Sequence, residues 1–124
     1  MNALNMAKTA YTNTASPTRT PRGIEYDAFA RITHRMKASA SDASKFSVLA
    51  AALYENKKLW SILVADISDQ ANTLPKELRG RIFYLYEFTS QHTSKVLRKE
   101  ASVDVLVDIN TAVMRGLRSE VGVS

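Results

Sequence analysis

Apolar residues recur at intervals of three and four positions along nearly the whole chain after residue 20. This spacing is typical of helices that bury one face. Alternating apolar and polar residues, which indicate strands, are absent, and so are hairpin pairs such as Asn-Gly. The pattern therefore predicts an all-α fold, a small helical bundle of about five helices with a central antiparallel helix hairpin.

Prolines and capping residues divide this pattern into separate helices. The predicted helices span about Ala3 to Tyr11, Pro21 to Ala38, Asp42 to Ala71, Pro75 to Arg98, and Ser102 to Arg118. The stretch "TNTASPTRTP" after the first helix is rich in Thr, Ser and Pro, which indicates a flexible linker. We therefore expect one domain, with a short helix and linker over residues 1–20, a bundle core over 21–118 and a tail over 119–124.

The third predicted helix contains the only tryptophan of the chain, Trp60. At about 100° per residue, Trp60 projects with Leu53 and Ile67 in the main apolar stripe, so it is predicted to fill the core. Leu59 and Ile62 project from the opposite side of this helix. The third helix therefore has more apolar surface than one stripe requires.

The fourth predicted helix has a similar excess in the stretch "IFYLYEF", where Phe83 and Tyr84 point away from the core stripe. One interpretation is that the first and fifth helices cover these residues. The other is a groove that binds an amphipathic helix of a partner, with Leu59, Ile62, Phe83 and Tyr84 as its walls. Self-association through the same surface is a third possibility, because the sequence does not determine the oligomeric state.

Residues suited to catalysis are few. The 124 residues include no cysteine and two histidines, and His34 and His92 lie on different predicted helices without acidic neighbours at helical spacing. Phosphate-binding, zinc-protease and hydrolase motifs are absent. We therefore predict that the protein is not an enzyme and has no catalytic, cofactor-binding or metal-ligating residues.

Localisation follows from the same composition. The first residues lack the apolar run of a signal peptide, and no stretch approaches the roughly 18 apolar residues that a membrane span needs. The lack of cysteine also gives no reason to expect an oxidising compartment. We expect a cytoplasmic protein that does not insert into membranes.

The chain has a formal net charge of +5. Basic residues in two predicted helices could contact RNA phosphates: Arg22, Arg31, Arg35 and Lys37 in the second, with Arg79, Arg81, Lys95, Arg98 and Lys99 in the fourth. However, the aromatic residues lie in apolar stripes and are not interleaved with the basic residues as base-stacking platforms are. A solvated basic surface is thus the simpler interpretation, and RNA binding is the alternative.

Several stretches together resemble the flagellar biosynthesis regulator FlaF family of alphaproteobacteria, and they span nearly the entire chain in the family's order. They are "PRGIEYDAF" (Pro21 to Phe29), "NKKLW" (Asn56 to Trp60), "NTLP" (Asn72 to Pro75), "FTSQHTSKVLR" (Phe88 to Arg98) and "DINTAVMRGL" (Asp108 to Leu117). The resemblance rests on the ordered set, since no single stretch is diagnostic.

The resemblance implies a cytoplasmic protein needed for flagellin production, which binds flagellin as an export chaperone and is linked to control of flagellin translation alongside the regulator FlbT. It carries over no catalytic residues and no particular binding residues. Flagellin is therefore the expected partner, FlbT is a possible one, and direct contact with flagellin mRNA is the alternative mechanism.

Overall fold

A computed structural model describes residues 26–71 and 73–123, with side chains described as far as residue 116. The helices are α1 (Tyr26–Ala40), α2 (Phe46–Ser68), α3 (Lys76–Leu97) and α4 (Asp104–Val123), and a short 3-10 helix (Ala43–Lys45) precedes α2. Over these residues the chain forms helices and connections without strands, so the predicted all-α class is confirmed.

The boundaries differ from the predicted ones at several places. The third predicted helix is divided, since Asp42 caps the 3-10 helix through its side chain and α2 begins only at Phe46. Pro75 is the residue before α3 and not its first residue, and α4 continues beyond the predicted end at Arg118. The predicted helix from Ala3 to Tyr11 lies outside the described residues, so the count of five stays a prediction.

Each helix packs beside two others. The neighbours of α1 are α2 and α4, and the same two helices are the neighbours of α3. Short connections join consecutive helices, as in bundles whose neighbouring helices run antiparallel. The α2–α3 pair is thus one of several adjacent pairs, and α1 packs against α2 more extensively than α3 does. The central position expected for that hairpin stays a prediction.

The core consists of two clusters, one at each end of the bundle. The first joins the beginning of α1 to the end of α2 and the beginning of α3, and it comprises Phe29, Ile32, Leu59, Trp60, Leu63, Ile67, Leu74 and Ile82. The second lies at the other end and comprises Met36, Leu49, Ala52, Leu53, Val96, Val103 and Leu106. Burial of these large apolar side chains supplies the main driving force for the fold.

Trp60 belongs to the first cluster and is fully buried, as its position in the stripe predicted. Its ring meets that of Phe29 edge to face, with centroids 6.1 Å apart. The indole N–H donates a hydrogen bond of 3.0 Å to Oδ1 of Asn110 in α4. This bond matters because a buried indole N–H without an acceptor would cost free energy.

Asn110 is the centre of a buried polar network. Its Nδ2 donates to Oγ1 of Thr33 at 3.0 Å and to Oδ1 of Asn56 at 2.7 Å, in addition to the bond that it accepts from Trp60. All four side chains are buried. The network joins α1, α2 and α4 and fixes how these helices sit against one another along their axes.

The connection from α3 to α4 begins with a left-handed turn. Lys99 has φ 63°, and within the described chain it is the residue other than glycine with positive φ. The amide of Glu100 donates to the carbonyl of Lys95 at 2.8 Å, and the amide of Lys99 donates to that of Val96 at 2.9 Å. These two bonds form a Schellman motif, which satisfies carbonyls left free at the end of α3.

Candidate partner-binding surfaces

The four residues predicted to form one groove differ in exposure. Ile62, Phe83 and Tyr84 are exposed, with 47%, 42% and 69% of their surface accessible. Leu59, by contrast, retains only 7% and shares the first core cluster with Phe29. Leu59 is therefore a core residue and not an exposed wall of a groove, because α1 covers the side of α2 from which it projects.

Ile62 lies on the flank of α2 that faces α1. The carboxylate of Glu55 on this flank forms an ion pair with Arg35 of α1, and Ile62 follows Glu55 by two helical turns. Phe46 projects from a different side of α2, the side that lies beside the end of α3. There, Nζ of Lys99 is 4.8 Å from the centroid of the Phe46 ring. Helical periodicity places Ile62 about 160° around α2 from Phe46.

Phe83 lies on the flank of α3 that faces α2. On the other flank, Nε2 of His92 is 2.8 Å from the carbonyl oxygen of Ser102 in the α3–α4 connection. Phe83 lies about 180° around α3 from His92. Ile62 and Phe83 therefore belong to two separate surfaces with the outer side of α2 between them, and the predicted four residues do not line one groove.

A continuous apolar strip runs along α3 instead. Phe83, Ser90 and Leu97 follow one another at seven-residue intervals and so share one side of the helix. Leu97 is 41% exposed, which is close to the value for Phe83. We call Phe83, Ser90 and Leu97, together with the outward-pointing Tyr84, the α3 strip.

The α3 strip exists because α3 contributes little to the core. Its buried residues are Ile82, Thr89, Thr93 and Val96, of which two are threonines. The sequence "IFYLYEF" places six large apolar side chains within seven positions, more than one buried stripe can take. The surplus is therefore exposed on α3, as the pattern indicated, although its location differs from the predicted groove.

A smaller exposed pair, Val48 and Ile62, lies on the α1-facing flank of α2 on either side of Glu55. Their exposed fractions are 44% and 47%, close to those of Phe83 and Leu97. The charged Glu55, with its Arg35 partner, interrupts this pair. The α1-facing flank therefore offers a less continuous apolar surface than the α3 strip.

The predicted basic set does not form one patch on α1. Arg31 and Lys37 are exposed, but helical periodicity places them about 120° apart around the helix. Arg35 is only partly exposed and is occupied by its ion pair with Glu55. Arg22 lies outside the described residues. The described part of α1 therefore offers few cations that could contact one phosphate backbone together.

His92 and Asp42 both have structural partners. His92 stacks on Phe88 with ring centroids 5.4 Å apart, in addition to its contact with Ser102. Ser44 donates hydrogen bonds to Asp42 from its backbone and side chain, which lowers the pKa of the Asp42 carboxyl. Across residues 26–71 and 73–123, no three His, Asp or Glu side chains gather in a way that could hold a metal ion.

Membrane insertion would require a long, continuously apolar helix in the same part of the chain. None of its helices combines the length and the apolar character that crossing a bilayer requires.

The family comparison covers most of the molecule. Residues 7–117 match the model of the family described as "Flagellar protein FlaF". The chain belongs to the FlaF family. This match includes all of α1, α2 and α3 and most of α4, and it confirms the resemblance seen in the sequence. No curated protein and no solved structure matches the chain.

Proposed function

We propose that this FlaF-family protein is a chaperone that binds flagellin in the cytoplasm, before export, and masks an amphipathic helical segment of it. Family membership supports a role in the flagellum. The proposed activity is binding and not catalysis. Masking an amphipathic segment would prevent flagellin from polymerising too early. A link to the control of flagellin translation, with FlbT as a possible second partner, is compatible with this chaperone role.

The observation that carries the proposal is the α3 strip. Phe83, Tyr84 and Leu97 are half of the large apolar side chains that remain exposed in the described chain. An amphipathic helix that packs along Phe83, Ser90 and Leu97 would bury its own apolar face against residues spaced two turns apart. The small Ser90 between the two large residues lets a partner helix approach closely.

The expected contribution of the strip can be estimated. Complete burial of a large apolar side chain is worth about 1.5–3 kcal/mol. Phe83 and Leu97 are 42% and 41% exposed, so covering the remainder contributes about 1 kcal/mol for each. A loss of about 2 kcal/mol corresponds to a complex weakened about 30-fold.

The test compares two double variants by isothermal titration calorimetry with purified flagellin. Phe83→Ser with Leu97→Ser should weaken binding about 30-fold. Val48→Ser with Ile62→Ser removes side chains of similar exposure from the α1-facing flank of α2 and should change affinity less than about 3-fold. Circular dichroism must show that both variants keep their helical content.

Two results would reject this assignment. Equal affinity of the α3 variant and the unmodified protein would remove the strip as the binding site. Loss of binding only in the Val48 and Ile62 variant would move the site to the other flank. Light scattering over a concentration series separates self-association from flagellin binding, because only self-association changes the particle mass without flagellin.

The alternative is direct contact with flagellin mRNA through basic side chains of α1 and α3. It requires RNA binding that weakens steeply with salt and is lost on Arg31→Glu with Lys37→Glu. The pairing of Arg35 with Glu55 and the separate directions of Arg31 and Lys37 make this alternative the weaker one. Absence of RNA binding at low salt would eliminate it.

A further inference from the structure

A partly open cleft of about 290 Å³ lies where the α3–α4 connection meets the beginning of α2. Phe46 and Leu49 line it from α2, Val96 lines it from the end of α3, and Ala101 and Val103 line it from the connection. This lining is mostly apolar. The cleft lies beside the second core cluster and does not include the α3 strip.

Lys99 is the charged residue in the lining of this cleft. Its ammonium lies over the ring of Phe46, 4.8 Å from the centroid. Its backbone has φ 63°, a conformation that glycine takes without steric cost and lysine does not. Strained residues persist where the surrounding structure holds them, and they cluster at binding sites. Glycine would relieve the strain here but would remove the cation from the cleft.

The ammonium of Lys99 has an aromatic neighbour but no carboxylate partner among the residues that the structure describes. The nearest acid in sequence, Glu100, pairs with Arg98 at 3.2 Å. An apolar cleft with an unneutralised cation in its lining complements a ligand that joins an apolar group to an anionic one. Its volume is at the lower end of ligand pockets, which suits one side chain better than a cofactor.

We propose that this cleft is a second recognition site, which takes one large apolar side chain of a partner polypeptide while the adjacent Asp or Glu carboxylate of that partner pairs with Lys99. The site is separate from the α3 strip. Its failure would leave the proposed chaperone function intact, and failure of the strip would leave the cleft intact.

The test uses the full chain labelled with ¹⁵N and titrated with acetyl-Phe-Glu-amide, followed by NMR. Saturable shifts are expected at the amides of Phe46, Val96, Ala101 and Val103. The uncharged analogue acetyl-Phe-Gln-amide should bind about 2- to 5-fold more weakly, because an exposed ion pair contributes little. Lys99→Gln should abolish this difference between the peptides.

A matched control is available in Lys58→Gln, since Lys58 also lies over an aromatic ring, that of Tyr54 at 5.6 Å, but outside the cleft. It should leave the preference for the acidic peptide unchanged. Ala43→Phe, at an exposed position in the cleft lining, should weaken binding of both peptides by obstructing the cleft.

Three outcomes would overturn the proposal. The first is no saturable shift at the cleft amides, and the second is an unchanged preference for the acidic peptide in Lys99→Gln. The third is that the same amides shift with protein concentration and without peptide, which would assign the cleft to a second copy of this chain.

Discussion

Replacing Asn110 is expected to lower the free energy of unfolding strongly, because this one side chain takes part in three buried hydrogen bonds. Leucine has the same branched arrangement of four side-chain heavy atoms as asparagine but is bulkier, so Asn110→Leu removes the polar atoms without leaving a cavity. The indole N–H of Trp60, the hydroxyl of Thr33 and Oδ1 of Asn56 then lose their partner inside the bundle. The main perturbation is therefore the loss of these hydrogen bonds and not a cavity.

The magnitude follows from the three hydrogen bonds. Each typical intramolecular hydrogen bond contributes about 1 kcal/mol net, and each buried group left unsatisfied costs about 1–3 kcal/mol. Asn110→Leu should therefore lower the free energy of unfolding by about 3 kcal/mol or more. Because all four network side chains are buried, water cannot reach the groups that are left unpaired, and the cost for each group should lie toward the upper end of its range.

Equilibrium urea unfolding measures this effect, followed by circular dichroism and by the fluorescence of the single tryptophan, which lies in the network. Thr111→Val provides a matched control in α4, because Thr111 is only partly buried and bonds to the carbonyl of its own helix. Its effect should be below about 1 kcal/mol.

A triple variant separates unsatisfied polar groups from other causes. Thr33→Val and Asn56→Leu, added to Asn110→Leu, remove two of the three stranded groups and introduce only apolar atoms. The triple variant should therefore be more stable than Asn110→Leu alone, because replacing both partners of a hydrogen bond by apolar groups can be nearly neutral. Stranded polar groups are not the cause if Asn110→Leu costs less than about 1 kcal/mol, or if the three single effects add up in the triple variant.

Three further predictions concern helix ends and exposed positions. Gly80→Ala should stabilise the protein by about 0.5–1 kcal/mol in urea unfolding, because a Cβ there meets nothing within 4 Å and alanine favours the helix; destabilisation would contradict the open position. At Lys99 glycine should be the more stabilising residue of the two: Lys99→Gly should be more stable than Lys99→Ala by about 1 kcal/mol, because φ is 63° there. A more stable alanine variant would mean that the left-handed turn is not kept. Asp42→Ala should lower the free energy of unfolding near neutral pH, because hydrogen bonds from Ser44 stabilise the ionised Asp42 and lower its pKa. The difference in unfolding free energy from the unmodified protein should shrink as pH falls below 3.8, since this stabilisation is lost when the carboxyl is protonated. A difference that stays constant down to pH 2 would exclude this link.

The periodicity of apolar residues was sufficient to predict the helices and much of the core. The position of Trp60 within a stripe predicted its burial, and "IFYLYEF" indicated that α3 has more apolar side chains than it can bury. Both inferences depend on angles around one helix, which the residue spacing determines. The ordered stretches of the chain likewise indicated the family that residues 7–117 match.

The position of the left-handed turn could not be read in this way. Lys99 follows α3 in a conformation that glycine usually adopts, and no residue preference marks it. Its ammonium reaches Phe46 only because the two helices meet at that end of the bundle. The cleft therefore results from the meeting of segments that are far apart in sequence.

Residue spacing is enough to establish which side chains project together from each helix, and hence that surplus apolar surface exists. Which part of this surface is covered depends on how the helices pack: α1 packs over Leu59 and leaves Ile62 and Phe83 on separate surfaces. The packing also brings Asn56 and Asn110, which stand in apolar stripes, close enough to form a hydrogen bond across the core. Spacing along a chain fixes directions within one helix, whereas burial and hydrogen-bond partners depend on which neighbouring helix lies in that direction.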